Sequence, residues 1–480
     1  MSGSPRLGLT LAVLALAQLI YALDLNIVFV ALPDIGHALG FPGQTQQLVV
    51  SAYVVCAGGF LLFGGRAADL LGRRRIFVLA LALYAVSSLA GGLAWSPVVI
   101  IVARAVQGIG GALLLPATLS LISTLFPEGP QRNRAVAVWG GAGASGLTIG
   151  ALLGGVLTEN FGWSAVFFVN VPLAAAVAAA ALVVIPRDVA AKAARRFDLP
   201  GVFSVTAGAT LLVLALVEGP ELGWDSGLVV GAFAAAAALL ALFAVIEART
   251  ADPLMPFRLF RNRSLTVGML VTFLYMATFG VLPYFLTVLM QTVHGYSALQ
   301  TGLAFLLPSL TIAAGTQYGE RLATRKGTRA TLLLGFVVGA VGTVALAFGF
   351  DAEAGYGALV VGLIVSGFGQ GVVWTTMWIA AATGTAAAEQ GIANGIASTA
   401  LNIGNAIGLA VFTAIAQIGT TGRTGDDLGA ATAHGEFVVV LLTALGMVLG
   451  VPIVLALRRS SAAVQPPATH AGTPVTVTAD

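Results

Sequence analysis

The sequence predicts an all-α membrane protein of fourteen transmembrane helices, arranged as two six-helix bundles plus two inserted central helices. Composition is the first observation behind this expectation. Of 480 residues, 58% are hydrophobic and 9% are charged, which excludes an ordinary soluble enzyme. The second is the recurrence, from end to end, of apolar segments long enough to cross a hydrocarbon layer of ~30 Å. The third is where the charges fall. With the N-terminus inside, every Lys and Arg except Arg104 and Arg423 lies in or beside a cytoplasmic segment. The outer connections instead carry acids such as Asp34, Glu159, Asp225, Asp351 and Asp427. This asymmetry follows the positive-inside rule, and an even number of spans then puts both termini in the cytoplasm.

Taken in order, the first span lies near 8–32. It is too long for a secretion signal, and no small-residue cleavage site follows the short segment MSGSPR. Spans near 47–65, 76–95, 98–121, 135–158 and 165–186 come next. Two more, near 199–217 and 227–247, are set off by the polar linkers 186–198 and 247–263. Six follow near 265–290, 299–319, 330–350, 357–383, 391–418 and 436–457. An internal repeat explains the arrangement: GRAADLLGRRR (65–75) closes the second span and GERLATRKGTR (319–329) closes the tenth. Both hold two glycines and a basic cluster, the mark of two related halves. The chain therefore divides into an N-terminal six-helix bundle (1–186), an inserted pair with cytoplasmic linkers (187–264) and a C-terminal six-helix bundle (265–457). The tail at 458–480 has no pattern and is expected to be disordered. Cys56 is the only cysteine, so no internal disulfide can form.

The run at 98–116, VVIIVARAVQGIGGALLLP, holds one arginine. Arg104 lies seven residues past Pro97, so it sits ~10 Å into the bilayer. A charge at that depth costs at least ~2.5–3.5 kcal/mol and must face protein or water. Gln107, Gly108 and Gly111 share its helical face. Asp24 is read as the only acid well inside a span, nine residues before Pro33, hence ~13 Å from the outer end of its helix. Two opposite charges at similar depth point to mutual compensation. Desolvation favours the neutral acid and a nearby guanidinium favours the carboxylate, so such a group can switch protonation. A static ion pair holding the first and fourth helices together is the alternative reading. Gly146, Gly150 and Gly154 form a small-residue stripe suited to close helix packing.

On these motifs the chain resembles the major facilitator superfamily, and within it the fourteen-helix drug:proton antiporters of QacA/EmrB type. Gly65-x-x-Ala68-Asp69-x-x-Gly72-Arg73-Arg74 is similar to the signature between helices 2 and 3. Arg104-x-x-Gln107-Gly108-x-Gly110-Gly111, followed by Pro116, resembles the helix 4 motif linked in the family to proton coupling. Leu23-Asp24 through Ala31-Leu32-Pro33 is similar to the helix 1 motif of the fourteen-helix branch. The chain departs from the antiporter pattern at Gly150-Ala151 before Gly154-Gly155, at Leu48, and at Trp163-Ser164-Ala165. The resemblance implies a major facilitator fold and proton coupling through Asp24, Arg104 and Gln107. It also implies a conformational latch at Gly65, Asp69, Gly72, Arg73 and Arg74. A structural reading of Asp69, capping a helix end amid basic residues, stands beside the latch.

A substrate cavity is expected from polar and aromatic stripes on the later helices: Tyr275 and Phe279; Gln370, Trp374 and Trp378; Asn394, Ser398 and Asn402. Such a lining suits a greasy ligand with scattered hydrogen-bonding groups, though each residue reads equally well as an interhelical contact. There is no Walker loop for ATP, and His37, His294, His434 and His470 are not paired at metal-ligand spacing. The expectation is a monomeric secondary transporter in a bacterial inner membrane, not an enzyme. It would exchange protons for a hydrophobic small molecule amid membrane lipid, with the proton gradient as energy source and without cofactor, metal or nucleic acid. An uptake symporter and an exporter of a lipid or endogenous metabolite share these features.

Overall fold

A computed structural model of the chain describes residues 4–41, 48–187, 198–250, 253, 255–418 and 425–457. These residues are helical or in short connections, with no strand among them. The early helices are α1 (Ser4–Leu39), α2 (Leu48–Leu71), α3 (Arg73–Gly92), α4 (Pro97–Leu125), α5 (Pro130–Phe161), α6 (Ala165–Phe168) and α7 (Asn170–Val184). Then come α8 (Leu199–Leu222) and α9 (Gly227–Arg249). The later helices are α10 (Arg263–Thr278), α11 (Leu282–Val288), α12 (Ala298–Ala304), α13 (Leu306–Lys326), α14 (Thr328–Ala347), α15 (Tyr356–Ala382), α16 (Gln390–Ala416), α17 (Gly425–Val448) and α18 (Gly450–Leu455). Among the described residues, twelve helical stretches are long and apolar enough to cross a membrane. The linker at 188–197 and the tail at 458–480 lie outside the described residues.

Proline chemistry explains where the later spans break. Pro308 has no N–H to give the carbonyl four residues back. That carbonyl belongs to Ala304, the last residue of α12, and it accepts from the Tyr356 hydroxyl at 2.7 Å instead. The span expected at 299–319 is therefore two helices, and the second runs on to Lys326. Pro172, Pro283 and Pro452 sit in the same way just past the α6–α7, α10–α11 and α17–α18 interruptions.

The expected turns at 65–75 and 319–329 are shorter than a loop. Helix α2 continues through Asp69 to Leu71, and α3 starts at Arg73. Only Gly72, with φ 105°, stands between them. Gly327, with φ 81°, plays the same part between α13 and α14. Both angles lie in the region that only glycine adopts readily. At the other end α1 carries on to Leu39, so Asp34 is helical rather than in a loop.

The early helices pack among themselves, α1 on α5, α2 on α4, and α3 on α4 and α7. The later ones do likewise, α10 on α16, α13 and α14 on α15, and α14 on α17. The two sets meet chiefly where α2 touches α16 and α5 touches α13. Helices α8 and α9 pair with each other, and α8 lies against both α2 and α16.

Candidate functional site

Arg104 is among the largest fully buried side chains of the described residues. Its Nη1 donates to Asp24 Oδ2 at 2.7 Å and to Gln107 Oε1 at 2.8 Å, and its Nε to the Val49 carbonyl at 3.1 Å. Its guanidinium carbon lies 4.3 Å from the centre of the Tyr53 ring. Asp24 Oδ1 accepts from Gln107 Nε2 at 2.9 Å and from Asn170 Nδ2 at 2.8 Å. Gln107 Nε2 also reaches Ser88 Oγ at 2.9 Å. Both charged side chains are sealed, 1% exposed for Arg104 and 0% for Asp24. Helices α1, α2, α3, α4 and α7 all contribute to this network, and no later helix does. Charge-assisted bonds at such distances are roughly twice as strong as neutral ones. A carboxylate with three donors and a guanidinium held on three sides make a stable buried pair.

The second site joins the two sets of helices. Asp69, buried near the end of α2, accepts from the backbone N–H of Gly391 at 3.1 Å and of Ile392 at 3.0 Å. These are first-turn donors of α16, where the helix dipole favours a negative charge. Arg73 Nη2 bonds Asp69 Oδ1 at 2.9 Å and also the Ala387 carbonyl across the interface. Gly65 permits the approach, since a Cβ there would lie 2.3 Å from the Gly391 carbonyl oxygen. At the same end Asn133 Nδ2 donates to Thr324 Oγ1 at 2.9 Å. Arg258 pairs with Glu389, the residue just before α16. Arg74 Nη2 donates to the Leu182 carbonyl, within the early helices. The bonds of Asp69, Arg73 and Asn133 join the two sets at one end of the molecule, which is closed, while Arg258 braces the start of α16 from the segment between α9 and α10.

The glycine stripe divides under inspection. A Cβ at Gly146 would lie 2.5 Å from the Leu19 oxygen, at Gly150 2.4 Å from the Leu23 oxygen, and at Gly154 2.9 Å from the Ile27 oxygen. On α4, a Cβ at Gly108 would meet the Tyr53 carbonyl at 2.4 Å and one at Gly111 the Tyr21 ring at 2.9 Å. Pro116 lies inside α4 without breaking it. Gly155, expected in the same motif, has nothing within 4 Å of such a Cβ. It is one step round the helix from Gly154 and faces away. Gly150→Ala is expected to force α1 from α5 at ~1–3 kcal/mol of stability. Gly155→Ala should leave thermal unfolding unchanged, and differential scanning fluorimetry on the two variants checks both.

The expected cavity lining is also sorted. Trp374 stacks parallel to Trp139 of α5, at 4° and 6.1 Å between ring centres, and Trp378 stands edge-on to both. Tyr275 lies against Trp374 at 5.4 Å. Phe279 is buried between Tyr275, at 5.4 Å, and Phe336, and it lies over Gly339 of the later helices. Asn402 donates to its own helix, at the Ser398 carbonyl. Asn394 and Ser398 are buried, and Asn394 Nδ2 and Ser398 Oγ have no hydrogen-bond partner. The same is true of Nε1 of Trp139, Trp374 and Trp378 and of Thr375 Oγ1. A buried polar group without a partner costs ~1–3 kcal/mol.

Sequence reasoning missed Asn170, Tyr53, Trp139 and the Gly391 and Ile392 donors. An asparagine inside the apolar run FFVNVPL was the available signal for Asn170. It also missed Glu436, whose buried side chain sits within the stretch Asp427–Leu455. Asp24 is thus not the only acid inside a span.

Such a molecule, with two packed helical sets and twelve stretches long and apolar enough to cross a membrane among its described residues, is built as a multi-pass membrane protein. The chain belongs to the Major Facilitator Superfamily, whose family profile matches residues 14–409 and 268–478. It is 35% identical over 453 residues to the cephamycin export protein CmcT of Amycolatopsis lactamdurans, covering 93% of this chain and 92% of that one. It is also 35% identical to the puromycin resistance protein pur8 of Streptomyces alboniger, covering 93% and 90%. Among solved structures, the human organic anion transporter MFSD10 superposes with a TM-score of 0.68 at 19% identity, covering 94% of this chain and 99% of that one. The proton:xylose symporter XylE does so at 0.64 and 16% identity, covering 94% and 97%. At these identities the likeness is one of fold.

Proposed function

We propose that this chain is a proton-coupled exporter of hydrophobic drugs or antibiotics that works by alternating access. It would be an antiporter of the fourteen-helix QacA/EmrB type, monomeric in a bacterial inner membrane, with both termini cytoplasmic. In this arrangement α1–α7 and α10–α18 form the two bundles, and α8 and α9 are inserted between them. The relatives named for antibiotic export and resistance, aligned over nearly the whole chain, support export. The single observation that carries the coupling reading is the sealed Asp24 network. A proton on Asp24 replaces an acceptor by a donor, so one of the three donors around it must withdraw. Arg104 can stay in place through Gln107, Val49 and the Tyr53 ring. The rearrangement then passes between α4 and α2, whose backbones touch where a Gly64 Cβ would lie 2.3 Å from the Ala112 oxygen. Helix α2 carries Asp69, so the same element that feels the proton holds the latch.

The test is proton release from energised inverted vesicles. Addition of a transported compound should restore the fluorescence of a quenched pH dye, and failure with every member of a broad antibiotic panel overturns export. Orientation has its own test in a Cys56→Ala background. An impermeant maleimide added to intact cells should label Glu353→Cys and spare Arg325→Cys. Equal labelling of both would refute the topology.

A further inference from the structure

The aromatic cluster contains chemistry that helix packing does not explain. Trp139 belongs to α5, whereas Trp374, Trp378 and Thr375 belong to α15, so the cluster crosses the seam between the two sets. Trp139 and Trp378 are 0% and 1% exposed, and Thr375 is 0%. All three indole N–H groups and the Thr375 hydroxyl are buried without a partner. Native interiors pair such groups, so four together require a reason. An indole nitrogen donates and never accepts, which makes the complement an acceptor oxygen. Charge adds a second constraint. The cluster contains no carboxylate, and Asp24 is fully engaged by Arg104, Gln107 and Asn170 inside the early helices. Nothing there offers an organic cation a counter-ion. Shape adds a third. The parallel Trp139 and Trp374 rings, one from each set, occupy each other's stacking faces. Gly140 lets the Trp374 ring press against α5, since a Cβ there would lie 2.7 Å from Trp374 Nε1.

We infer that the Trp139–Trp374–Trp378 cluster is the recognition site for planar, oxygen-bearing ring compounds that carry no positive charge. The inference rests on the export reading and names its substrate class. A flat ring takes the place of one stacking partner, its oxygens accept from the indoles, and its entry parts α5 from α15. Binding thus draws on both helical sets at once.

The experiment measures binding to the purified full-length protein by equilibrium dialysis with three flat three-ring probes: neutral 1,8-dihydroxyanthraquinone, oxygen-free anthracene and cationic ethidium. The anthraquinone should bind at least about tenfold tighter than either of the others. Trp139→Phe and Trp378→Phe keep a ring and remove the N–H, so each should weaken the anthraquinone about 2- to 10-fold and leave anthracene unchanged. Their thermal stability should not fall for want of a hydrogen bond, because the deleted donors had none. Should both fail to fold, Gly140→Ala, which keeps every donor and pushes the Trp374 ring from its place against α5, must still lower anthraquinone binding. Ethidium binding as tightly as the anthraquinone, or unchanged anthraquinone binding in the folded variants, overturns the inference. Proton release by other compounds would survive that result and leave export standing. Binding as expected with no proton release from any compound would instead overturn export alone.

Discussion

Asp24→Asn is expected to abolish proton-driven export while leaving a folded protein. The amide cannot exchange a proton, and it mimics the permanently neutral acid. Arg104→Ala should act differently. Asp24 is wholly buried, and removing its charged partner leaves a carboxylate with only the neutral donors of Gln107 and Asn170. Breaking a buried pair from one side costs ~3–5 kcal/mol, so this variant should lose much of its thermal stability. The double variant separates coupling from a purely static pair. If the pair only holds α1 to α4, removing both charges should restore folding and much of the coupled transport. If Asp24 carries the proton, the double variant should refold without recovering coupling. The cycle is read by expression, thermal unfolding and dye dequenching in vesicles on all four proteins. Coupled export in Asp24→Asn/Arg104→Ala would sink the coupling role.

The second large effect is expected at Asp69. Its carboxylate takes two N–H groups of α16 and the Arg73 guanidinium. Asp69→Asn keeps one acceptor and introduces a donor facing other donors. Hydrogen bonds to charged groups contribute about 1.5–3 kcal/mol each, so the closed end should lose roughly 10- to 100-fold of its population advantage. Export should fall at least about tenfold with expression intact. The structural readout is maleimide labelling of Thr324→Cys in a Cys56→Ala background, which should quicken when Asp69→Asn is added. Unchanged labelling and near-normal export would reduce Asp69 to a local helix cap.

That Asp24 and Arg104 meet was readable because opposite charges inside apolar runs have few other partners to choose. Their other partners were not. Asn170 and Val49 approach from other helices, and only packing decides which polar atom in an apolar run is turned inward. The fate of Gly155 shows the same limit. Adjacent glycines in a motif point about 100° apart on a helix, and the partner helix can touch only one of them. Trp139 was hidden by its surroundings, a lone aromatic in a glycine-rich stretch whose ring partners lie 235 and more residues later. Breaks in the later spans were legible in principle, since each follows from a missing N–H, yet hydropathy carries no trace of them.

Helix α8 rests on α2 and α16 together, and its Thr210 and Val213 fill the space opposite Gly59 and Gly58. This makes the molecule's two flanks unequal toward the surrounding lipid. On the flank where α2 meets α16, a lipid-dissolved compound finds the seam roofed over. Among the described residues, neither α8 nor α9 packs broadly on the opposite seam, where α5 meets α13. Any shift of α2 against α16 must therefore change the grip of α8 on one of them, whereas α5 and α13 can part without disturbing the inserted pair.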